Sequence, residues 1–276
     1  MTHTILHYPT RELLWLSDIH LDRVDDDTKL EFLDQLRGVR YDALLLTGDI
    51  SNAKQLVGHL TDISFACDDR PVFFLLGNHD YFFGSMPEVE RAVADLCQRH
   101  ENLVPLGRGE VIQLSPNTAL VGHRGWYDGR AGFGVKTHVI SPDRKWISDF
   151  RRLGRRAFFN RLGELGEASV DYFRSVLPKA LDQYRNVLVG THVPPFYQSL
   201  KFGGRHCRWE RQPYFANCAA GKAIIGIARD YPGRKITVHA GHCHSATEAA
   251  ISTNLTIRVA GAKPGQPAFH DIVIVD

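Results

Sequence analysis

Five short segments contain most of the side chains in this sequence that could perform chemistry. They supply imidazoles, carboxylates and one carboxamide, mostly directly after apolar runs, and are Ser17-Asp18-Ile19-His20, Thr47-Gly48-Asp49, Gly77-Asn78-His79-Asp80, Gly190-Thr191-His192 and Gly241-His242-Cys243-His244. Hard oxygen and borderline nitrogen donors of these types are the ligands that divalent metals take in hydrolytic sites. The sequence therefore predicts a site for two divalent metal ions.

The spacing within the segments supports this interpretation. Asp18 and His20 are two residues apart, as are His242 and His244. Side chains two apart on an extended backbone project from the same face, so each pair is expected to bind from one side. Asp49 follows a separate apolar run, and its two oxygens could bridge ions at the roughly 3.5 to 4 Å separation of binuclear sites.

The order DxH, GD, GNHD, GTH and GHxH resembles that of the calcineurin-like metallophosphoesterases, in particular their bacterial phosphodiesterase-like branch. All five segments occur in order between residues 18 and 244 of 276, which makes the pattern specific. The resemblance implies that Asp49 bridges two metals. The other implied ligands are Asp18, His20 and His244 for one metal and Asn78, His192 and His242 for the other. It further implies that His79 faces the leaving group and that Asp80 orients His79.

Hydrophobic patterning predicts an α/β fold. Continuous apolar runs at 13–16, 43–46 and 72–76 are typical of strands covered on both faces, and amphipathic helices are expected near 28–36 and 87–98. The first half is therefore expected to be a βαβ array. Later strands are expected at 111–114, 119–121, 187–189 and 236–239, with a helix near 167–184 and an antiparallel meander at 246–252, 255–259 and 272–275. The resemblance implies a four-layer α/β/β/α sandwich of two mixed sheets flanked by helices.

Composition is that of an ordinary globular protein. Apolar residues make up 43% of the 276 and charged residues 23%, which excludes disordered and fibrous classes. A net charge of +2 does not call for nucleic acid or an anionic membrane as partner. No apolar run approaches the roughly 20 residues of a membrane span. We expect a single metallophosphoesterase domain over 1–276, with a candidate substrate-facing insertion at 124–162.

The five cysteines are scattered without CxxC spacing, and the N-terminal residues do not resemble a secretory signal. Reduced thiols and a cytoplasmic location are therefore expected. Cys243 lies between two expected ligands, but strand alternation would point its side chain away from them. Packing is its expected role.

Two loops are candidates for substrate contact. The 124–162 insertion contains Trp126 and Tyr127, and a basic loop after His192 contains Arg205, Arg208 and Arg211. Guanidinium groups can hold phosphate oxygens in pairs of hydrogen bonds, and aromatic rings can stack on a base. For each of these residues the alternative is a solvated surface or a place in the core.

The expected reaction is phosphoester hydrolysis. Two cations lower the pKa of a shared water, so that metal-bound hydroxide attacks phosphorus directly. With an ordinary pKa near 6.5, His79 is the expected general acid. The expected substrate is a phosphoester small molecule or nucleotide, hydrolysed by a phosphodiesterase or phosphatase. Mn, Fe, Zn, Co and Mg all accept such ligands.

Two alternatives are retained. A nuclease acting on DNA or RNA ends would use the basic loops, although the nucleases of this kind resemble longer chains with a DNA-facing cap. A non-catalytic binding scaffold on the same fold would lack part of the metal set or the catalytic histidine. All seven expected ligands and His79 are present, which favours an enzyme.

Overall fold

The structure is a computed structural model that describes residues 5–276. Its strands, in chain order, are β1 (Ile5–His7), β2 (Glu12–Leu16), β3 (Ala43–Thr47), β4 (Val72–Leu75), β5 (Leu103–Pro105), β6 (Val111–Gln113), β7 (Thr118–Gly122), β8 (Asn186–Gly190), β9 (Lys201–Phe202), β10 (Arg205–His206), β11 (Lys235–Ala240), β12 (Thr247–Ser252), β13 (Leu255–Val259) and β14 (Asp271–Ile274). The α-helices are α1 (Asp26–Gly38), α2 (Leu56–Cys67), α3 (Met86–Cys97), α4 (Asp143–Trp146), α5 (Arg155–Gln183) and α6 (Cys218–Asp230).

The larger strands form two mixed sheets. The first has the order β14-β2-β3-β4-β5, in which β2 to β5 are parallel and β14 is antiparallel to β2. The second has the order β1-β6-β7-β8-β11-β13-β12, and β7, β8, β11 and β13 are parallel within it. A separate hairpin joins β9 to β10. Parallel strands need crossover connections, and most of these connections contain a helix.

Alternation along the strands divides the apolar side chains into three layers. Leu13 and Trp15 of β2 belong to a cluster that also contains Leu120 and Leu188 of the second sheet, so this cluster fills the space between the sheets. Leu14 and Leu16 point the other way and pack with residues of α1, α2 and α3. Residues of β7, β8 and β11 likewise pack with α5 and α6. The result is the expected α/β/β/α sandwich.

Most predicted strands and the first-half βαβ array are confirmed. Two details were wrong. The tail is not a meander, because β13 pairs in parallel with β11 and β14 crosses to the other sheet. The predicted start of the helix near 167–184 was also wrong, because the helix begins at Arg155. Residue 162 therefore lies inside α5 and does not end an insertion, while the single domain over 1–276 stays a prediction.

Several elements escaped the sequence patterns, chiefly α2, α6 and the β9–β10 hairpin. Helix α2 is apolar on several sides, since seven of its twelve residues are buried, so it lacks the polar face that marks an amphipathic helix. Within residues 5–276, none of the helices has the length and apolarity that crossing a lipid bilayer requires.

Candidate metal centre

The predicted ligands lie in loops that follow the carboxyl ends of five parallel strands. Two of these loops, after β8 and β11, belong to the second sheet, and those after β2, β3 and β4 belong to the first. In open α/β sheets this end of the strands is where ligands bind. The loops of the two sheets meet, and they bring together two groups of donor atoms that share Asp49, each group lying within 4.8 Å.

The first group contains Asp18, His20, Asp49 and His244. The Nε2 atom of His244 lies 3.2 Å from Oδ1 of Asp18 and 3.2 Å from Nε2 of His20. The distance from Nε2 of His20 to Oδ2 of Asp49 is 3.9 Å. Two carboxylates and two imidazoles thus converge on one point, a donor set that suits Zn, Mn or Fe.

The second group contains Asp49, His192 and His242, with Asn78 beside them. The outer nitrogen of each imidazole lies next to a backbone carbonyl: Nδ1 of His192 is 2.9 Å from the oxygen of Thr47, and Nε2 of His242 is 2.7 Å from that of Tyr214. A carbonyl accepts only, so these outer nitrogens carry the protons. This is the arrangement that orients metal-ligating histidines.

The inner nitrogens of the two rings are directed at oxygen atoms. Nε2 of His192 lies 3.2 Å from Oδ1 of Asn78 and 3.3 Å from Oδ1 of Asp49. Nδ1 of His242 lies 3.0 Å from the same Asn78 oxygen. A neutral ring with its proton on the outer nitrogen has a lone pair on the inner one, so these nitrogens and oxygens could together ligate a cation placed between them. The residues therefore fit a metal ion.

Five of the predicted ligands have an unusual backbone. Asp18, His20, Asp49, His242 and His244 all have φ between 42° and 68°, in the left-handed region that non-glycine residues seldom adopt. The extended geometry expected for the two pairs was therefore wrong: each pair lies in a tight turn after its strand. Strain of this type costs on the order of 1–3 kcal/mol per residue and is concentrated at functional sites.

Two glycines allow the loops to come this close. A Cβ atom at Gly77 would lie 2.2 Å from Oδ1 of Asp49, and one at Gly241 would lie 2.1 Å from Oδ2 of Asp18. Both distances are far inside van der Waals contact, so a side chain at either position would displace a proposed ligand. These glycines explain why GNHD and GHxH begin as they do.

The pKa values of the two buried carboxylates shift in opposite directions. Burial raises the pKa of Asp49 well above its ordinary value, and the negative charge of Asp18 raises it further. Burial also opposes ionisation of Asp18, but the hydrogen bond to His244 and the nearby histidine charges lower its pKa overall. Imidazole nitrogens of His20, His79 and His192 lie within 4.0 Å of the Asp49 carboxylate, yet the overall shift still favours its neutral form. A bound cation would favour the ionised form.

His79 lies at the edge of this cluster, with Nε2 4.0 Å from Oδ2 of Asp49. Its Nδ1 lies 2.6 Å from Nη2 of Arg23. Burial lowers the pKa of His79 well below its ordinary value, and the charges of His20 and Arg23 lower it further. The expectation of an ordinary pKa was therefore wrong. Arg23 lies three residues after His20, yet no spacing rule pointed to it.

Asp80 does not orient the His79 ring. One oxygen of its carboxylate accepts the backbone N–H groups of Ile50 and Ser51, and the other accepts that of Gly77 at 2.7 Å. Asp80 therefore ties the loop after β4 to the loop after β3. That role still positions the centre, because Asp49 and His79 belong to these loops.

Trp126 and Tyr127 are not substrate contacts. Their exposed fractions are 3% and 1%, and both rings belong to the core cluster between α5 and the first sheet's helices. Both rings therefore pack in the core, which was the alternative to substrate contact in the sequence analysis. Tyr127 nevertheless touches the site, because its hydroxyl donates to Asp143.

Asp143 is a site residue that sequence patterns missed. Its Oδ1 accepts a hydrogen bond from Nδ2 of Asn78 at 3.1 Å, while Oδ2 accepts from Tyr127. The Asn78 amide is thereby turned so that Oδ1 faces His192 and His242. Burial raises the pKa of Asp143, and the two donated hydrogen bonds oppose that shift. No motif marks Asp143, which comes from the 124–162 segment.

The basic loop lies further out. Arg205, Arg208 and Arg211 are exposed and border one surface groove. Arg208 forms an ion pair with Glu210 at 3.3 Å. The hairpin that carries Arg205 approaches the centre through Gly204, whose N–H donates to Ser245 Oγ at 3.4 Å. Cys243, two residues before Ser245, is buried in the second sheet's core cluster, in agreement with a packing role.

Comparison with known proteins gives a family match. Residues 12–245 match the family model described as calcineurin-like phosphoesterase. A dimetal phosphatase from Danio rerio has a similar structure, with a TM-score of 0.57 and 14% identity over 95% of this chain and 91% of that one. A purple acid phosphatase from yellow lupin (Lupinus luteus) seeds gives 0.49 and 11% over 98% and 47%. No curated protein sequence matches.

The contact between Asp143 and Asn78 generates a prediction. Asp143→Ala should free the Asn78 amide to rotate and should weaken binding of one metal ion by about 10- to 100-fold, the range for residues that orient metal ligands. Metal content after equilibrium dialysis against graded Mn²⁺ measures this. Asp149→Ala is the matched control, because Asp149 lies in the same segment but bonds to the backbone of Met86. Unaltered metal content in Asp143→Ala would contradict the assignment.

Proposed function

Because the chain belongs to the calcineurin-like phosphoesterase family, and is therefore a metal-dependent phosphoester hydrolase, we propose that it uses two divalent ions to hydrolyse a phosphodiester or phosphomonoester of a small molecule or nucleotide. The observation that carries this proposal is that Asp49 belongs to both donor groups. A carboxylate with one oxygen toward each group is suited to bridging two ions. The identity of the ions stays open among Mn, Fe, Zn, Co and Mg.

Two ions bound here would lower the pKa of a shared water and offset charge on the phosphoryl oxygens. The protein contributes a rigid frame for the phosphoryl group. Oδ1 of Asp49 accepts the backbone N–H of His79 at 2.9 Å, so the bridging carboxylate and the leaving-group residue are joined directly. Both oxygens of Asp18 accept the N–H of His242, which links the loops of the two sheets. Holding the reacting groups in a fixed geometry contributes substantially to catalysis.

His79 is proposed to act on the leaving-group oxygen through Nε2. A guanidinium group has donors but no acceptor, so Nδ1 must accept from Arg23 at 2.6 Å. The neutral ring then holds its proton on Nε2, the nitrogen directed toward Asp49. Arg23 disfavours a second proton on the ring, and His79 is thus proposed to donate a hydrogen bond to the departing oxygen from its neutral form.

The exposed arginines are proposed as outer contacts for larger substrates. Arg205 and Arg211 carry positive charge on the same face as the hairpin next to the centre, which supports contact with an anionic substrate extending past the metals. No observation favours a nuclease over a small-molecule phosphoesterase. The free thiols of all five cysteines support the cytoplasmic location that we propose.

Removal of the bridging carboxylate tests the two-ion proposal. Asp49→Asn should keep an oxygen for the N–H of His79 but should lose the second ligating oxygen. Activity should fall by at least about 100-fold, since metal-ion stabilisation contributes several kcal/mol. Metal content should fall from two ions per chain to one or none, measured by plasma mass spectrometry. The control is Asp34→Asn, an exposed carboxylate of α1.

Chelation provides the complementary measurement. Wild-type protein treated with a chelator should lose activity and recover it with Mn²⁺, whereas Asp49→Asn should not recover. Full activity in thoroughly demetallated wild-type protein would refute the metal mechanism, and a single ion in fully active protein would refute the binuclear form.

The role of His79 predicts a dependence on the leaving group. His79→Ala should slow hydrolysis of an alkyl phosphoester by about 100-fold, and that of a nitrophenyl ester much less, because nitrophenolate departs without help. His79→Gln should retain more activity than His79→Ala, since its amide keeps an N–H donor. Equal losses on both esters, or loss of metal in His79→Ala, would assign His79 a different role.

A further inference from the structure

Beside the metal centre lies a pocket of about 380 Å³, and most of the residues that line it have no role in the site described above. Its inner wall is formed by the ligands Asp18 and His244, and its outer wall by the segment 261–270 near the C-terminus. We propose that this pocket, here named the Lys263 pocket, binds the ester substituent of the substrate and selects substituents with a second anionic group. The inference rests on the proposed function and adds the substrate class to it.

The segment that forms the outer wall is attached firmly to the metal-binding loops. At one end, the N–H of Ala262 donates to the carbonyl oxygen of His244 at 3.3 Å. At the other, Nε2 of His270 lies 3.1 Å from the oxygen of Ser17, directly before Asp18. Phe269 also packs on Phe32 of α1, with ring centroids 5.6 Å apart. The pocket is therefore preformed, as ligand sites usually are.

A turn closes the middle of this segment and carries the polar groups. The N–H of Gln266 donates to the carbonyl oxygen of Lys263 at 3.1 Å, which brings both side chains to the pocket. Among residues 5–276, no hydrogen-bond or ion-pair partner is found for the Lys263 ammonium. Lys263 and Gln266 are exposed and belong to the lining of a pocket whose remaining outer wall is mostly small and apolar, with Ala262, Pro267 and Ala268.

The residues that line the pocket determine which substituent fits. Because Asp18 and His244 line both the metal centre and this pocket, a substituent of a few carbons on a phosphoryl group held at the centre could extend along the apolar wall. Lys263 and Gln266 can then hydrogen-bond a carboxylate or second phosphate at its far end. A charge-assisted hydrogen bond of this kind contributes more than a neutral one. The volume lies within the range of small-molecule sites, roughly 300–1,000 Å³.

A matched substrate series tests this inference. The series consists of ω-carboxyalkyl phosphates with two to four methylene groups and alkyl phosphates of equal length, each as the monoester and as the methyl diester. Metal-loaded wild-type enzyme should prefer the carboxylate member by about 10-fold or more in kcat/KM at low ionic strength. Lys263→Ala should abolish that preference by raising KM for the carboxylate member, and Lys263→Arg should restore part of it.

The control variant is Lys235→Ala, an exposed lysine at the opposite end of β11, which should keep the wild-type preference. Equal losses on both members in Lys263→Ala would show that Lys263 contacts the scissile phosphoryl group and would overturn the inference. A wild-type enzyme that hydrolyses the series without preference would also overturn it, while leaving the proposed function intact. Absence of metal-dependent hydrolysis of any phosphoester would instead refute the proposed function itself.

Discussion

The whole site depends on left-handed backbone conformations directly after the ends of the strands. A strand that continued past Leu16 or Thr47 would carry its next side chains away to opposite faces of the sheet. The turns at Asp18 and Asp49 instead reverse the chain and bring carboxylates from neighbouring loops together. Backbone hydrogen bonds stabilise them, since the N–H of Asp18 donates to Gly48 at 2.9 Å and that of His20 to Asp49 at 3.1 Å. The sandwich is the rigid frame that maintains this strain.

Charge explains why such strain would persist. Two carboxylates and several imidazoles lie buried within a few ångströms, and burial of ionised groups without compensation is costly. The Asp18 carboxylate lies 3.2 Å from Nε2 of His244, and this contact raises the pKa of His244. The outer nitrogens of His192 and His242 lie against backbone carbonyls, which directs their inner nitrogens toward the donor group that contains Asp49. The site as a whole has an excess of acceptors, which is the condition that divalent cations satisfy.

The sequence predicted the strands and the convergent donors well because both follow from local patterns. Apolar runs mark β2, β3 and β4, and the polar residues after them stand out against those runs. The conformation of the ligand turns could not be predicted, because the residue types of Asp18 and His20 do not by themselves indicate a positive φ. Contacts made only by tertiary packing were also hidden. Asp143 lies 65 residues from Asn78 along the chain. Aromatic residues such as Trp126 and Tyr127 occur both in cores and in binding loops, so their type alone does not distinguish the two.

Arg23 and Lys263 extend the same reasoning from the centre to its surroundings. Arg23 follows His20 by three residues, and Ala262, next to Lys263, is hydrogen-bonded to the backbone of His244. The turn at Gly265 lies next to the backbone of Arg23. Arg23 is engaged with His79, whereas Lys263 faces the pocket. The two cations therefore divide the approach to the phosphoryl group. In the proposed mechanism Arg23 fixes the proton on His79, and Lys263 recognises charge on the substituent.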